Sequence, residues 1–178
     1  MFKKIDDSSL IALAQLLELD VDSGVLKVFN QRVGIFPLNS VLQLFEEIKK
    51  QINSKRFNEI IKIAGVKFGE GLLETILSLD KNDLIEFNPL QGREALSKIL
   101  SFFGFGKIEY VTSLKNSTAT LNYYNSPAEE LDSNIFCLLI AGIIEGVLSR
   151  LYSKEVKVKE VKCVKRKDKY CSFKIFLS

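Results

Sequence analysis

The chain has 178 residues, 47% of them hydrophobic and 26% charged, which suits one globular domain with a sizeable core rather than two. A net charge of only +3 makes no bulk demand for a nucleic-acid partner, and no direct nucleic-acid binding is evident. Histidine is absent, which excludes histidine triads, histidine–metal catalysis and histidine switching near neutral pH; tryptophan is absent too.

The opening MFKKIDDSS is basic but has no signal-type core or cleavage site behind it. The longest apolar run, 135–144, is of helix-core length rather than membrane-span length. A cytoplasmic protein without a membrane span is the expectation. Asp7-Ser8-Ser9 is a plausible helix start, with Leu10, Ile11, Leu13, Ala14 and Leu17 at helical spacing and a stop before Asp20. Residues 25–29 and 33–36 then read as short strands joined by Asn30-Gln31, a hairpin ended by Pro37. Asn39 or Ser40 caps a helix whose apolar stripe is Val41, Leu42, Phe45, Ile48 and Ile52. Asn53-Ser54 breaks it. A longer helix runs from Lys55 to about Ile76 and contains Gly65, Gly69 and Gly71. Each glycine costs about 1 kcal/mol against alanine inside a helix, so they point to close packing or a partial break. No strand–GK[ST] context makes them a phosphate loop.

Asn88-Pro89 opens a further helix that Gly104 stops. Residues 108–112 and 118–124 read as strands, the second closed by Asn125-Ser126-Pro127. Asp132-Ser133 caps the most apolar helix, about 134–152. Cys137, Ala141 and Glu145 share one line of it, and Leu138, Gly142 and Gly146 the next. A basic terminal hairpin follows, its lysines read mainly as a solvated face. One-sided helices and hairpin-like strand pairs together predict an α+β domain with a mainly antiparallel sheet and helices packed against it.

The chemistry concentrates in that hairpin, EVKCVKRKDKYC from Glu160 to Cys171. With a loop at Arg166-Lys167-Asp168, Cys163 and Cys171 face each other, and opposed side chains have Cβ atoms about 4.5–5.5 Å apart. Glu160 lies three residues before Cys163 and would point to the other face of a regular strand. The valines change parity between Val158 and Val161, so a bulge there would turn Glu160 and Cys163 to one side. Cys137 is the one further thiol. From the residues alone, these four side chains are a tetrahedral metal site, a disulfide with a spare thiol, or buried thiols packing as small hydrophobes. The odd count of three cysteines, with no mark of secretion, speaks against a disulfide framework.

The carboxy-terminal half resembles the 4-vinyl reductase domain family. The likeness rests on Phe105-Gly106, Asn125-Ser126-Pro127, Cys137 with Ala141-Gly142 and Gly146, Glu160-x-x-Cys163, and Cys171-x-Phe173. Arg32-Val33-Gly34 and the segment from Gly65 to Gly71 extend it loosely to the amino-terminal half. The resemblance implies a single ligand-binding domain over 1–178, with a helical and hairpin part at about 1–85 and a metal-binding core at about 86–178. It implies a fold shared with TRAPP-type tethering subunits and with the sensory domains of phenol-responsive regulators. It also implies zinc on Cys137, Glu160, Cys163 and Cys171. Four protein ligands leave no open position, so such a zinc is structural rather than catalytic.

A functional pocket would then be apolar with few polar groups. The candidates are Phe102, Phe105, Tyr110 and Tyr123 around the Gly104-x-Gly106 turn, with Ile140 and Ile144 on the last helix. The phenol-responsive relatives grip the hydroxyl with histidine and tryptophan, both missing here, so a lipid chain or an aromatic hydrocarbon fits better than phenol. The expected function is a non-enzymatic hydrophobic-ligand-binding or sensory domain that forms a homodimer. The alternatives are a TRAPP-like interaction module and an accessory protein of tetrapyrrole vinyl reduction.

Overall fold

The computed structural model describes residues 17–28, 31–80, 97, 100–101, 104–111, 118–130 and 133–178. The helices expected to start at Asp7 and at Asn88-Pro89 lie largely outside the described residues, as does Phe102. Two compact units divide the chain, Met1–Pro37 and Leu38–Ser178.

The first unit holds an antiparallel sheet of β1 (Leu17–Asp20), β2 (Val25–Val28) and β3 (Gln31–Val33). β1 corrects the expectation that Leu17 continues a helix. Its partner is fixed by the turn that follows. The Asp20 carboxylate accepts the amides of Asp22 (3.1 Å) and Ser23 (3.2 Å), and Gly24 takes a left-handed φ of 65°. The chain therefore doubles back and pairs Asp20 with Val25 and Leu17 with Val28. The β2–β3 hairpin is present as expected, with its second strand at 31–33 rather than 33–36.

The second unit is α+β. Helices α1 (Leu38–Gln51) and α2 (Ser54–Asp80) break where the Asn53 side chain accepts the Arg56 amide at 2.9 Å. Then come β4 (Lys107–Tyr110), β5 (Thr118–Tyr124), the one-turn α3 (Pro127–Glu130), α4 (Ile135–Tyr152), β6 (Val156–Lys162) and β7 (Cys171–Leu177). The sheet is fully antiparallel in the order β4-β5-β7-β6.

α4 covers one face of this sheet. It is apolar enough, and at 18 residues long enough, to cross a membrane by composition. Here it is a core helix: Ile140, Ile143 and Ile144 are fully buried against Leu121, Tyr123, Phe173 and Ile175 of the strands. Burying each isoleucine is worth about 1.5–3 kcal/mol. Its opposite side meets α2 along a seam of glycines. A methyl group at Gly65 would overlap the Leu139 carbonyl, and one at Gly69 the Ile143 carbonyl. Reciprocally, Gly142 lies on the Lys62 carbonyl and Gly146 on that of Val66. The sequence expectation of close packing thus holds for four glycines, two per helix, whereas Gly71 faces open space.

The β6 edge is closed by side chains from the helices. Ser149 accepts the Val156 amide at 3.2 Å and Glu145 the Val158 amide at 2.9 Å, while Lys62 donates to the Val158 carbonyl at 3.2 Å. Lys62 and Glu145 also pair at 2.8 Å.

Candidate metal centre

Four donors converge between α4 and the β6–β7 hairpin: the thiols of Cys137, Cys163 and Cys171 and the Glu160 carboxylate. All lie within 4.8 Å of one another. Cys137 comes from the sheet-facing line of α4, the same line that sends Glu145 to the β6 edge. Cys171 is the first residue of β7. The expected bulge is present, as the β6–β7 register shifts between Glu160 and Lys162. That shift brings Glu160 and Cys163 to the same side.

The hairpin tip differs from expectation. A single 3-10 turn over Val164–Arg166 replaces the simple loop at Arg166-Lys167-Asp168. Cys163 anchors it: its amide donates to the Asp168 carboxylate at 2.8 Å, and its carbonyl accepts the Arg166 amide at 2.8 Å. Lys167 takes a left-handed φ of 69° to end the turn. Asp168, unremarkable in the sequence, is thus the residue that holds the Cys163 backbone.

The three thiols are free and buried. Cys137 Sγ lies 3.8 Å from Cys163 Sγ and 3.7 Å from Cys171 Sγ. A tetrahedral ion with metal–sulfur bonds of roughly 2.3 Å separates its sulfurs by about 3.8 Å. Glu160 supplies a second sign of fit: its Oε1 is buried and has no hydrogen-bond partner. An orphaned buried carboxylate oxygen costs free energy unless a cation meets it. The residues present can therefore hold a metal ion with four protein donors.

The charges are arranged accordingly. The hydrogen bond with Cys137 pulls the Cys171 thiol down to about 7. The same bond, and then burial, push Cys137 up, and burial pushes Cys163 up. The metal-free cluster therefore stabilises about one thiolate near neutral pH, whereas metal binding needs all three. Loading the purified apo-protein at pH 7 in a weak buffer is expected to release about two to three protons per ion. Uptake should weaken as pH falls, because protons compete for the same sulfurs. Calorimetry in buffers of different ionisation enthalpy checks the count; fewer than one proton released would mean the thiols are not the ligands.

The apolar candidates fall into two groups. Tyr123, Ile140 and Ile144 are fully buried in the main core. The Tyr123 hydroxyl donates to the Phe105 carbonyl, and burial raises its pKa. Phe105 and Tyr110 are half-buried and pack against that core, with Phe105 edge-on to Phe68 at 6.4 Å between ring centroids. The turn carrying Phe105 is shaped by Gly104 (φ 74°) and Gly106 (φ 98°), where a side chain on Gly106 would also meet the Asn125 carbonyl at 2.6 Å. A surface cleft of about 270 Å³ lies elsewhere, lined by Ala128, Glu129, Val164, Lys165, Asp168 and Lys169. The sequence reading missed the Lys62–Glu145 pair. Only the placement of Glu145 on the Cys137 line hinted at it.

Residues 135–176, from α4 to the end of the hairpin, match the family model of the 4-vinyl reductase domain. The resemblance noted in the sequence is therefore carried by the segment that builds the donor cluster. No curated protein matches the chain. Among solved structures, the phenol-responsive sensory domain of the transcription activator PoxR, with phenol, is similar in fold (TM-score 0.79, 16% identity, 99% of this chain and 92% of that one). A vinyl-4-reductase family protein from Methanocaldococcus jannaschii is similar at a TM-score of 0.56 and 20% identity, over 100% of this chain and 98% of that one. A trafficking protein particle complex subunit 3 from Naegleria fowleri, covalently bound to palmitic acid, is similar at a TM-score of 0.56 and 15% identity, over 76% and 89%. The fold is that of 4-vinyl reductase-type, PoxR-like and TRAPP-like domains.

Proposed function

We propose that this chain is a single, non-catalytic domain that binds a small hydrophobic molecule, held together by one structural zinc and working as a homodimer. The observation that carries this reading is the donor set. Three thiols and one carboxylate complete four-coordination from protein side chains alone. Catalytic zinc keeps a position open for water or substrate, and this set leaves none. Zinc here ties the hairpin to α4, and the functional event is binding.

The likeness in fold to a phenol-responsive domain and to a palmitate-bearing subunit supports an apolar ligand. Phe105 and Tyr110, half-buried beside the Gly104–Gly106 turn, are the side chains such a ligand reaches first, with Tyr123, Ile140 and Ile144 behind them. Phe102 completes the proposed set. With no histidine or tryptophan to grip a hydroxyl, a lipid chain or an aromatic hydrocarbon is favoured over phenol.

Thermal-shift titration with a medium-chain fatty acid and with an aromatic hydrocarbon tests this. A ligand at a hundred times its Kd adds about 2.7 kcal/mol, a rise of roughly 5–10 °C for a chain of this size. Phe105→Ala and Tyr110→Ala should reduce the rise. A second reading, a TRAPP-like interaction module, is favoured by the apolar side chains left exposed on the first two helices: Leu44, Ile48, Ile60, Ile63 and Phe68. A defined dimer that neither co-purifies with nor responds to any apolar ligand would support that module instead.

A further inference from the structure

The net charge of +3 conceals a strong segregation. Residues 154–178 carry nine lysines or arginines against three acidic residues, a net +6, so residues 1–153 sum to −3. The strand register decides where that charge goes. On the sheet face turned away from α4, Lys157 of β6 lies opposite Phe176, Lys159 opposite Lys174, and Lys162 opposite Ser172. Next to these, on β5, Thr118, Thr120 and Asn122 lie opposite Phe176, Lys174 and Ser172. Lys157, Lys159, Lys162, Lys174 and Phe176 are exposed.

Three features separate this face from ordinary solvated lysines. First, Lys159 and Lys174 are direct cross-strand neighbours, an arrangement of like charges that destabilises a sheet. Second, among the described residues Lys157 pairs with Glu155 at 3.0 Å, but Lys159, Lys162 and Lys174 make no ion pair. Two of them rest on aromatic rings instead: Lys162 over Tyr170 at 5.1 Å and Lys174 over Phe176 at 5.3 Å. Tyr170 in turn packs on Tyr124, with ring centroids 5.0 Å apart. Third, lysines often guard an open sheet edge. That role is already filled here, since Ser149, Glu145 and Lys62 occupy the backbone groups of Val156 and Val158. Moreover, Lys174 sits on β7, an interior strand.

We propose that this outer sheet face binds single-stranded nucleic acid, with backbone phosphates on Lys159, Lys162 and Lys174 and a base stacked on Phe176. Same-face lysines on one strand are spaced by about 6.7 Å, which makes a regular cationic track. Aromatic rings set within such a track take bases with little sequence preference. The rings now under lysine ammonium groups become free when those groups move to phosphate. An anionic membrane is the less favoured partner, because Phe176 is the one large apolar side chain exposed within the lysine track and offers little to insert. The site lies on the sheet face opposite α4, and it does not depend on the hydrophobic-ligand reading.

The test is fluorescence anisotropy of the zinc-loaded full chain with a fluorescein-labelled 12-mer of oligo-dT and one of oligo-U, from 50 to 200 mM salt. Three phosphate contacts predict a log–log salt slope of about −2. Lys159→Gln with Lys174→Gln should weaken binding more than tenfold and lower that slope by about 1.4. Phe176→Ala should weaken it about tenfold at an unchanged slope. Lys49→Gln with Lys50→Gln, on α1, should change nothing. Circular dichroism confirms that these surface variants stay folded. The proposal is overturned by no anisotropy change at 100 μM protein, by equal loss in the α1 control, or by binding to phosphatidylserine vesicles with none to either oligonucleotide.

Discussion

Cys171→Ser is expected to lower the melting temperature by on the order of 10 °C and to abolish zinc binding, with Cys163→Ser close behind. The purified wild type should hold one zinc per chain by elemental analysis. The argument runs from the geometry. Cys137 sits on α4, while Cys163 and Cys171 bracket the hairpin tip, so the metal joins elements otherwise held by packing. A preformed site does not exist in the unfolded chain, and metal-binding free energy therefore becomes folding free energy. For a domain of this length each kcal/mol is worth roughly 2–4 °C. A chelator should destabilise the wild type and leave the cysteine variants nearly unmoved. Glu160→Gln should be milder, because an amide oxygen ligates more weakly yet keeps the shape. A metal-free protein with three reactive thiols and unaltered stability in these variants would overturn the zinc assignment.

The second large effect is expected where no ligand is involved. Gly146→Ala adds one methyl group, and that group meets the Val66 carbonyl of α2. Backbone cannot rotate away as a side chain can, so the two helices must separate. Overpacking of this kind costs about 3 kcal/mol, or roughly 6–12 °C. Gly142→Ala, which meets the Lys62 carbonyl, should behave alike. Gly71→Ala is the internal control. Its added methyl group meets nothing within 4 Å, so it should stabilise the helix by about 0.5–1 kcal/mol. Urea denaturation of the three variants decides the matter. Equal effects at Gly71 and Gly146 would mean that helix propensity, not interhelical contact, governs both positions.

Much of the centre was legible because its signals were local. The parity change of the valines announced the bulge before Cys163, and Glu160 and Cys163 stand where that bulge requires. The glycines of the long helix and of the last helix were each legible as close-approach positions. Their pairing across 77 residues, Gly65 with Gly142, was not. β1 was misread because LELD follows a leucine-rich stretch with helical spacing. The deciding force was an Asp20-Gly24 turn that hands the segment to a strand partner. The hairpin tip was misread for a similar reason: a carboxylate five residues away, Asp168, captures the Cys163 amide and tightens the loop. The Lys62–Glu145 pair depends on two helices and a strand edge meeting, which no periodicity encodes.

The glycine seam has a mechanical consequence. Two helices whose backbones touch at four points, with opposed carbonyls filling the missing side-chain space, cannot slide past each other without a clash. α2 and α4 must therefore move as one rigid lever. Any event that tilts α4, whether at its metal-bearing line or beside Ile140 and Ile144, swings α2 by the same angle. The exposed Ile60, Ile63 and Phe68 swing with it. Sub-ångström adjustment near the sheet is thereby converted into a displaced apolar surface on the far side of the helix pair, a stroke that a neighbouring molecule can read.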